Sequence, residues 1–134
     1  MEDLILNPER ASQIIDFKGV HHRGASFTDI DALLEYRDRA YVIVEVKYGD
    51  KEMPDGQKLA IERMVRDFGK QGKSALAVLA EHHEIDIQKS IYLSDCDVRS
   101  IYTSGEQKWR KPNTNYTVKQ IVDEYLAWVD GKRR

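Results

Sequence analysis

Apolar residues recur at helical spacing in three segments of the chain, which predicts three helices. The first helix begins at about Pro8, the second spans about residues 55–68, and the third follows Thr117, where a capping box is expected. Glycine favours the left-handed backbone found at helix ends. The predicted ends of the first two helices are therefore the nearest glycines: Gly19 and Gly69.

Runs of apolar, β-branched and aromatic residues between these helices predict strands. The predicted strands cover about residues 27–36, 40–48, 74–80, 89–93 and 98–102. A turn around residues 37–39 would join the first two strands into a hairpin. The order helix–strands–helix–strands–helix predicts an α/β sandwich with a central mixed sheet flanked by helices.

Length and composition place the chain among ordinary globular proteins. It has 134 residues, of which 33% are charged and 41% are hydrophobic. We expect one domain, residues 1–134, with a core at about 8–93 and a strand and helix extension at 94–134. We expect no membrane span, and a single cysteine predicts no disulfide framework, so a cytoplasmic location is expected. The net charge of −2 gives no domain-wide basic footprint.

Two charged residues interrupt the most apolar predicted strand, in the stretch "VIVEVKYGD". Residues two apart on a strand point to the same face, so Glu45 and Lys47 share one face while Val44 and Val46 pack on the other. Charges inside a buried strand are costly unless they are paired or bound to something. A further group is therefore expected beside Glu45.

The hairpin supplies that group. Positions 31 and 45 lie symmetrically about residue 38, so Asp31 and Glu45 become cross-strand neighbours with Cβ atoms about 4.5–5.5 Å apart. Two like charges at that distance are destabilising, and a divalent cation between them would reverse the sign. Carboxylate oxygens suit Mg²⁺ or Mn²⁺, and a nearby lysine can position water or offset phosphate charge. The competing interpretation is a salt bridge between Glu45 and Lys47, with the aspartates as solvated loop residues.

With "DID" followed by "VIVEVK" on a hairpin, residues 8–93 resemble the PD-(D/E)xK nuclease superfamily. The resemblance implies a restriction-endonuclease-like αβββαβ core, here followed by a C-terminal helix. It implies that Asp31 and Glu45 are metal ligands, that the Val46 carbonyl is a third ligand, and that Lys47 is the catalytic lysine.

Three further positions remain open within this resemblance. The proline usually written before the first acid is absent, so Asp29 is an alternate to Asp31 as first ligand. Some branches use an acid from the first helix, which makes Glu9 a candidate. Several branches place a glutamine near the site, which makes Gln57 a candidate, although a polar residue in a first helical turn needs no such role.

The resemblance implies a Mg²⁺- or Mn²⁺-dependent nuclease that hydrolyses phosphodiester bonds in nucleic acid, with DNA favoured over RNA. The short chain favours recognition of structure, ends or junctions, or targeting by a partner protein, over sequence-specific cutting. A homodimer would be a simple route to cutting both strands. The alternative class is a catalytically silent binding or assembly module that keeps the nuclease fold.

Other reactive residue types give weaker signals. Adjacent histidines on a strand point to opposite faces, so neither His21-His22 nor His82-His83 predicts a chelating pair. Cys96 is expected to be structural. Trp109 is expected to cover the edge of the sheet, and Trp128 to pack within the last helix.

Overall fold

A computed structural model describes residues 15–132 of the chain. These residues form seven strands: β1 (His21–His22), β2 (Ala25–Ser26), β3 (Ala32–Tyr36), β4 (Ala40–Tyr48), β5 (Ser74–His82), β6 (Asp97–Thr103) and β7 (Trp109–Arg110). Two α-helices, α1 (Asp55–Lys70) and α2 (Val118–Gly131), and a short 3₁₀ turn, Leu93–Asp95, complete the described elements. Most of the predicted first helix lies outside the described residues, and residues 15–20 form loop and turn.

Five of the strands form one mixed sheet in the order β3-β4-β5-β6-β7. The β4–β5 pair is parallel and the other pairs are antiparallel. The parallel pair is joined through α1, as parallel neighbours require a crossover. The predicted α/β class with a central mixed sheet is thus confirmed. Strand β6 belongs to the same sheet as β4 and β5, and α2 packs in the same core.

Each face of the sheet buries its own apolar layer, because alternate residues of β4 and β5 point to opposite faces. On one face Val42, Val44 and Val78 pack with Val118 and Ile121 of α2. On the other face, the partners of α1 residues are side chains from β4, β5 and β6: Ile43, Ala75, Ala77, Leu79 and Tyr102. The two helices therefore lie on opposite faces, and burial on both faces explains why β4 and β5 are so apolar.

The β3–β4 hairpin has the predicted register. Ala32 pairs with Val44 and Tyr36 with Ala40, so the pairing is symmetrical about residue 38. The turn brings Arg37 and Asp38 into left-handed backbone conformations, with φ of 50° and 60°. The strand predicted at 40–48 coincides with β4.

Two strand predictions were wrong in extent or existence. The strand predicted at 27–36 begins only at Ala32, because the N–H of Asp31 donates to the Glu45 side chain rather than to a backbone carbonyl of β4. No strand forms at 89–93; β6 occupies the position beside β5 instead. Ile91 and Tyr92 of the predicted strand are exposed, so this short apolar run belongs to a surface loop.

The predictions of the second and third helices were confirmed, with one shift. Helix α1 continues past Gly69 to Lys70, and the left-handed residue that ends it is Gly72, whose φ is +78°. The N–H of Lys73 donates to the Phe68 carbonyl at 3.0 Å, which closes a Schellman-type end. Helix α2 begins with the predicted capping box between Thr117 and Gln120.

The two tryptophans occupy different environments. Trp109 lies in the edge strand β7, where its ring packs against Tyr102 and its Nε1–H donates to Glu62 at 2.7 Å. This position agrees with the expectation that Trp109 covers the sheet edge. Trp128 is 56% exposed, so the expectation that it packs within the last helix was wrong. Within residues 15–132, no helix combines the length and the apolar composition that crossing a membrane requires.

Candidate active site

The candidate site lies at the C-terminal end of β4, where the strand emerges from the sheet beside α1. Glu45 and Lys47 point to the α1 face, as their spacing predicts, because Ile43 on the same alternation packs in the α1 core. Glu45 is only 3% exposed. Carboxyl ends of parallel strands are a common place for binding sites in α/β folds.

Two hydrogen bonds join Asp31 to the Glu45–Val46 segment of β4. The N–H of Asp31 donates to Oε1 of Glu45 at 2.9 Å, and the N–H of Val46 donates to Oδ2 of Asp31 at 2.7 Å. Side chains thus replace the backbone ladder at the open end of the hairpin. Asp31 and Glu45 are thus neighbours across the hairpin, and Asp31, unlike Glu45, is exposed.

The surroundings of Glu45 disfavour its ionised form. Burial raises the pKa of its carboxyl, and the negative charges of Asp31 and Asp29 raise it further. The hydrogen bond from the Asp31 N–H and the charge of Lys47 act in the opposite direction but do not outweigh burial. An additional positive charge at this position would therefore favour the carboxylate.

Lys47 is the cation of the site. Its Nζ lies 3.9 Å from Oε2 of Glu45, at the long end of ion-pair contact, and its side chain is 23% exposed. The ammonium has three donors, and a single contact at this distance leaves donors that can reach a ligand. The structure brings Asp31, Glu45 and Lys47 together at one end of the sheet.

Gln57 reaches the same region from the first turn of α1. It is 6% exposed, and its Nε2 donates to the backbone carbonyl of Asp29 at 3.2 Å. Its Oε1 is buried and accepts no hydrogen bond from any described residue. A buried amide oxygen without a donor is costly, so a donor or a cation supplied by a ligand would satisfy it.

The donor set suits a hard cation. The N–H of Val46 points towards Asp31. A strand residue directs its N–H and its C=O to the same neighbouring strand, so the Val46 carbonyl faces the Asp31 side as well. Two carboxylates with carbonyl oxygens are ligands that Mg²⁺ and Mn²⁺ accept, with water in the remaining positions. Among residues 15–132, no group of three or more His, Cys, Asp or Glu side chains forms a metal-binding cluster. The fit therefore depends on carbonyl and amide oxygens in addition to the acid pair.

Arg99 of β6 supports the site, and sequence reasoning missed it. Its guanidinium donates to the carbonyl oxygens of Gly49 and Lys51, in the loop that follows β4. The same group lies 3.8 Å from Glu81 of β5. One arginine therefore holds the chain segment directly after Lys47 against the sheet, and the only sequence signal was an isolated arginine in a short strand.

The remaining candidate residues lie elsewhere. Glu9 is outside the described residues. Asp29 contributes its carbonyl to Gln57 and its charge to the surroundings of Glu45, while Asp31 makes the direct contact with the β4 backbone. Cys96 is buried, and burial raises the pKa of its thiol, as expected for a structural cysteine.

Comparison of the chain with protein-family models, with curated proteins and with solved structures finds no match. The resemblance to the PD-(D/E)xK superfamily therefore remains a prediction from the sequence.

Proposed function

We propose that this chain is a divalent-metal-dependent nuclease of the PD-(D/E)xK type, which hydrolyses phosphodiester bonds in nucleic acid, with DNA favoured over RNA. The observation that carries the proposal is the meeting of Asp31 and Glu45 beside Lys47, with Glu45 buried. The pKa of Glu45 is raised, and Lys47 lies beside it at the end of a parallel strand. This arrangement is suited to binding a metal and a phosphate.

In this proposal Asp31, Glu45 and the Val46 carbonyl would hold Mg²⁺ or Mn²⁺, and the unsatisfied Oε1 of Gln57 is an accessory candidate. Such a cation, when bound, supplies positive charge to the phosphate and makes a water molecule more acidic. Lys47 donates hydrogen bonds from Nζ, either to orient the attacking water or to offset charge on a non-bridging phosphate oxygen. Asp31 also fixes the end of β4 through the Val46 N–H, which keeps Glu45 and Lys47 in register.

The proposal extends to how substrates are selected. We favour recognition of nucleic-acid structure, ends or junctions, or targeting by a protein partner, over reading of a base sequence. A homodimer would allow both strands of a duplex to be cut.

One observation favours a second candidate, a catalytically silent nuclease-fold module for binding or assembly. The two hydrogen bonds between Asp31 and the Glu45–Val46 segment join the strands directly. In that case the acids would serve the hairpin alone.

A cleavage assay separates the two candidates. Labelled single-stranded, duplex, flapped and branched DNA, together with RNA, would be incubated with Mg²⁺, Mn²⁺ or EDTA. Lys47→Ala would be compared with Lys51→Ala, a matched removal of an exposed lysine in the following loop.

The nuclease proposal predicts metal-dependent cutting that Lys47→Ala abolishes and Lys51→Ala retains. Cutting that survives Lys47→Ala would contradict the assigned role of the lysine. If nothing is cut and the wild type binds no Mn²⁺, the binding or assembly module is the better account.

A further inference from the structure

A cavity lies at the opposite end of the sheet from Asp31 and Glu45. It opens where α1 ends, β5 begins and β6 ends, with α2 at its rim, and it has a volume of about 670 Å³. Along α1, Gln57 at the candidate active site and Lys70 at this cavity are separated by about 20 Å, at about 1.5 Å per residue. The cavity, called the basic cavity below, is therefore a separate site.

Most of the charged side chains in its lining are basic. Five cations and one acid line the basic cavity: Arg66, Lys70, Lys73, Arg110, Lys132 and Glu106. Three of these cations already have acids beside them: Arg110 lies 2.7 Å from Glu106, Arg66 lies 3.0 Å from Asp67, and Lys73 pairs with Asp38. Within the described part of the chain, Lys70 and Lys132 have no ion-pair partner. The lining thus retains positive charge for an anionic ligand.

An exposed aromatic ring stands at the rim. Trp128 is 56% exposed, and the Nζ of Lys132 lies 4.5 Å from its ring centroid. The ring of Tyr125 lies 5.6 Å from it on the same helix. Aromatic rings beside cations are the means by which proteins bind single-stranded nucleic acid, because bases stack on the ring and phosphates approach the cations.

The backbone of two turns is open to a ligand. Gly72 and Gly105 both line the basic cavity, and a Cβ placed on either glycine would meet no atom within 4 Å. A ligand can approach the main chain closely at such positions. The volume also falls in the range of small-ligand pockets, in which a nucleotide fits.

We propose that the basic cavity binds a short segment of single-stranded nucleic acid. A base stacks on Trp128, and neighbouring phosphates lie against Lys70, Arg110 and Lys132. This inference goes beyond the proposed cleavage reaction, since it requires neither a cation nor hydrolysis at Asp31 and Glu45.

Fluorescence anisotropy of a labelled oligothymidylate of about ten nucleotides, a length suited to such a groove, tests the proposal. The titration is made in EDTA, so that its result is independent of the nuclease activity. Trp128→Ala and the double variant Lys70→Ala/Lys132→Ala are compared with Lys119→Ala, which removes an exposed lysine near the start of α2. Thermal melts establish that each variant is folded.

We expect the wild type to bind, and the logarithm of its association constant should fall linearly with the logarithm of the salt concentration. The slope should be about −2 to −3 for three or four phosphate contacts. The double variant should reduce the magnitude of that slope by about 1.4. Trp128→Ala should weaken binding about 5- to 150-fold, Trp128→Phe should restore most of the loss, and Lys119→Ala should bind as the wild type does.

The absence of binding at low salt would overturn the proposal. Equal binding by wild type, Trp128→Ala and the double variant would do so too, as would equal affinity for a duplex of the same length. Competition by inorganic tripolyphosphate as strong as that by unlabelled oligothymidylate would also overturn it, since the cavity would then bind phosphate without recognising a base. Failure of the cleavage assay with oligothymidylate binding intact would reject the nuclease proposal alone.

Discussion

Replacing Glu45 by glutamine should stabilise the protein at neutral pH when no divalent cation is present. Burial raises the pKa of this carboxyl, and Asp31 and Asp29 raise it further. An acid with a raised pKa binds more protons in the folded than in the unfolded state, so stability falls as pH rises from the ordinary glutamate pKa through the raised one. Glutamine cannot ionise, and its Oε1 can still accept from the N–H of Asp31.

The charges around Glu45 indicate the size of the effect. Lys47, whose Nζ lies 3.9 Å from Oε2 of Glu45, attracts the carboxylate. Asp31 repels it by an amount that is no smaller than this attraction. The attraction therefore does not exceed the repulsion, so the cost of burial decides the balance. We expect Glu45→Gln to add about 1–2 kcal/mol of stability, or about 3–8 °C in Tm.

Thermal melts of wild type and Glu45→Gln in EDTA, at about pH 7.5 and about pH 4, measure this difference. The advantage of the variant should disappear at the lower pH, where Glu45 is protonated in both folded and unfolded states. Saturating Mn²⁺ should raise the Tm of the wild type but not that of the variant. At a hundredfold excess of Mn²⁺ over Kd, the free energy of unfolding of the wild type should increase by about 2.7 kcal/mol. A variant less stable than the wild type at neutral pH in EDTA would refute this reasoning.

Substitutions at three other positions test further parts of the structure. Asp31→Ala should lose about 1–2 kcal/mol, because the N–H of Val46 loses its acceptor, whereas Asp31→Asn should retain most of that stability in denaturant melts. Thr117→Ala should lose about 1 kcal/mol through its helix cap, and cleavage by the folded variant should be unchanged. Arg99→Gln should speed amide exchange in residues 49–53, because the carbonyls of that loop lose their donor; unchanged exchange there would contradict the assigned role of Arg99.

The hairpin could be predicted closely from the sequence, because its determinants are local. The apolar run that Glu45 and Lys47 interrupt predicted β4, and symmetry about residue 38 placed Asp31 opposite Glu45. The structure further shows that side chains of Asp31 and Glu45 accept the backbone hydrogen bonds at the open end of the hairpin. These hydrogen bonds depend on side-chain orientations that strand periodicity alone does not give.

Predictions failed where tertiary contacts decide. The run at 89–93 has strand-like composition, yet the sheet position beside β5 is taken by β6, and Tyr92 remains exposed. Arg99 could not be recognised, because its partners lie about 50 residues away in the chain. The exposed position of Trp128 could not be predicted either, because the cavity that it lines is formed by segments far apart in the chain.

Manganese binding is the measurement that tests the central claim most directly. Isothermal titration of Mn²⁺ into the wild type, Glu45→Gln and Lys47→Ala asks whether the acid pair holds a cation. Our account predicts one site in the wild type, loss of that site in Glu45→Gln, and retention of it in Lys47→Ala. Equal binding by wild type and Glu45→Gln, or no binding by either, would contradict the account and leave Asp31 and Glu45 as a clamp on the hairpin.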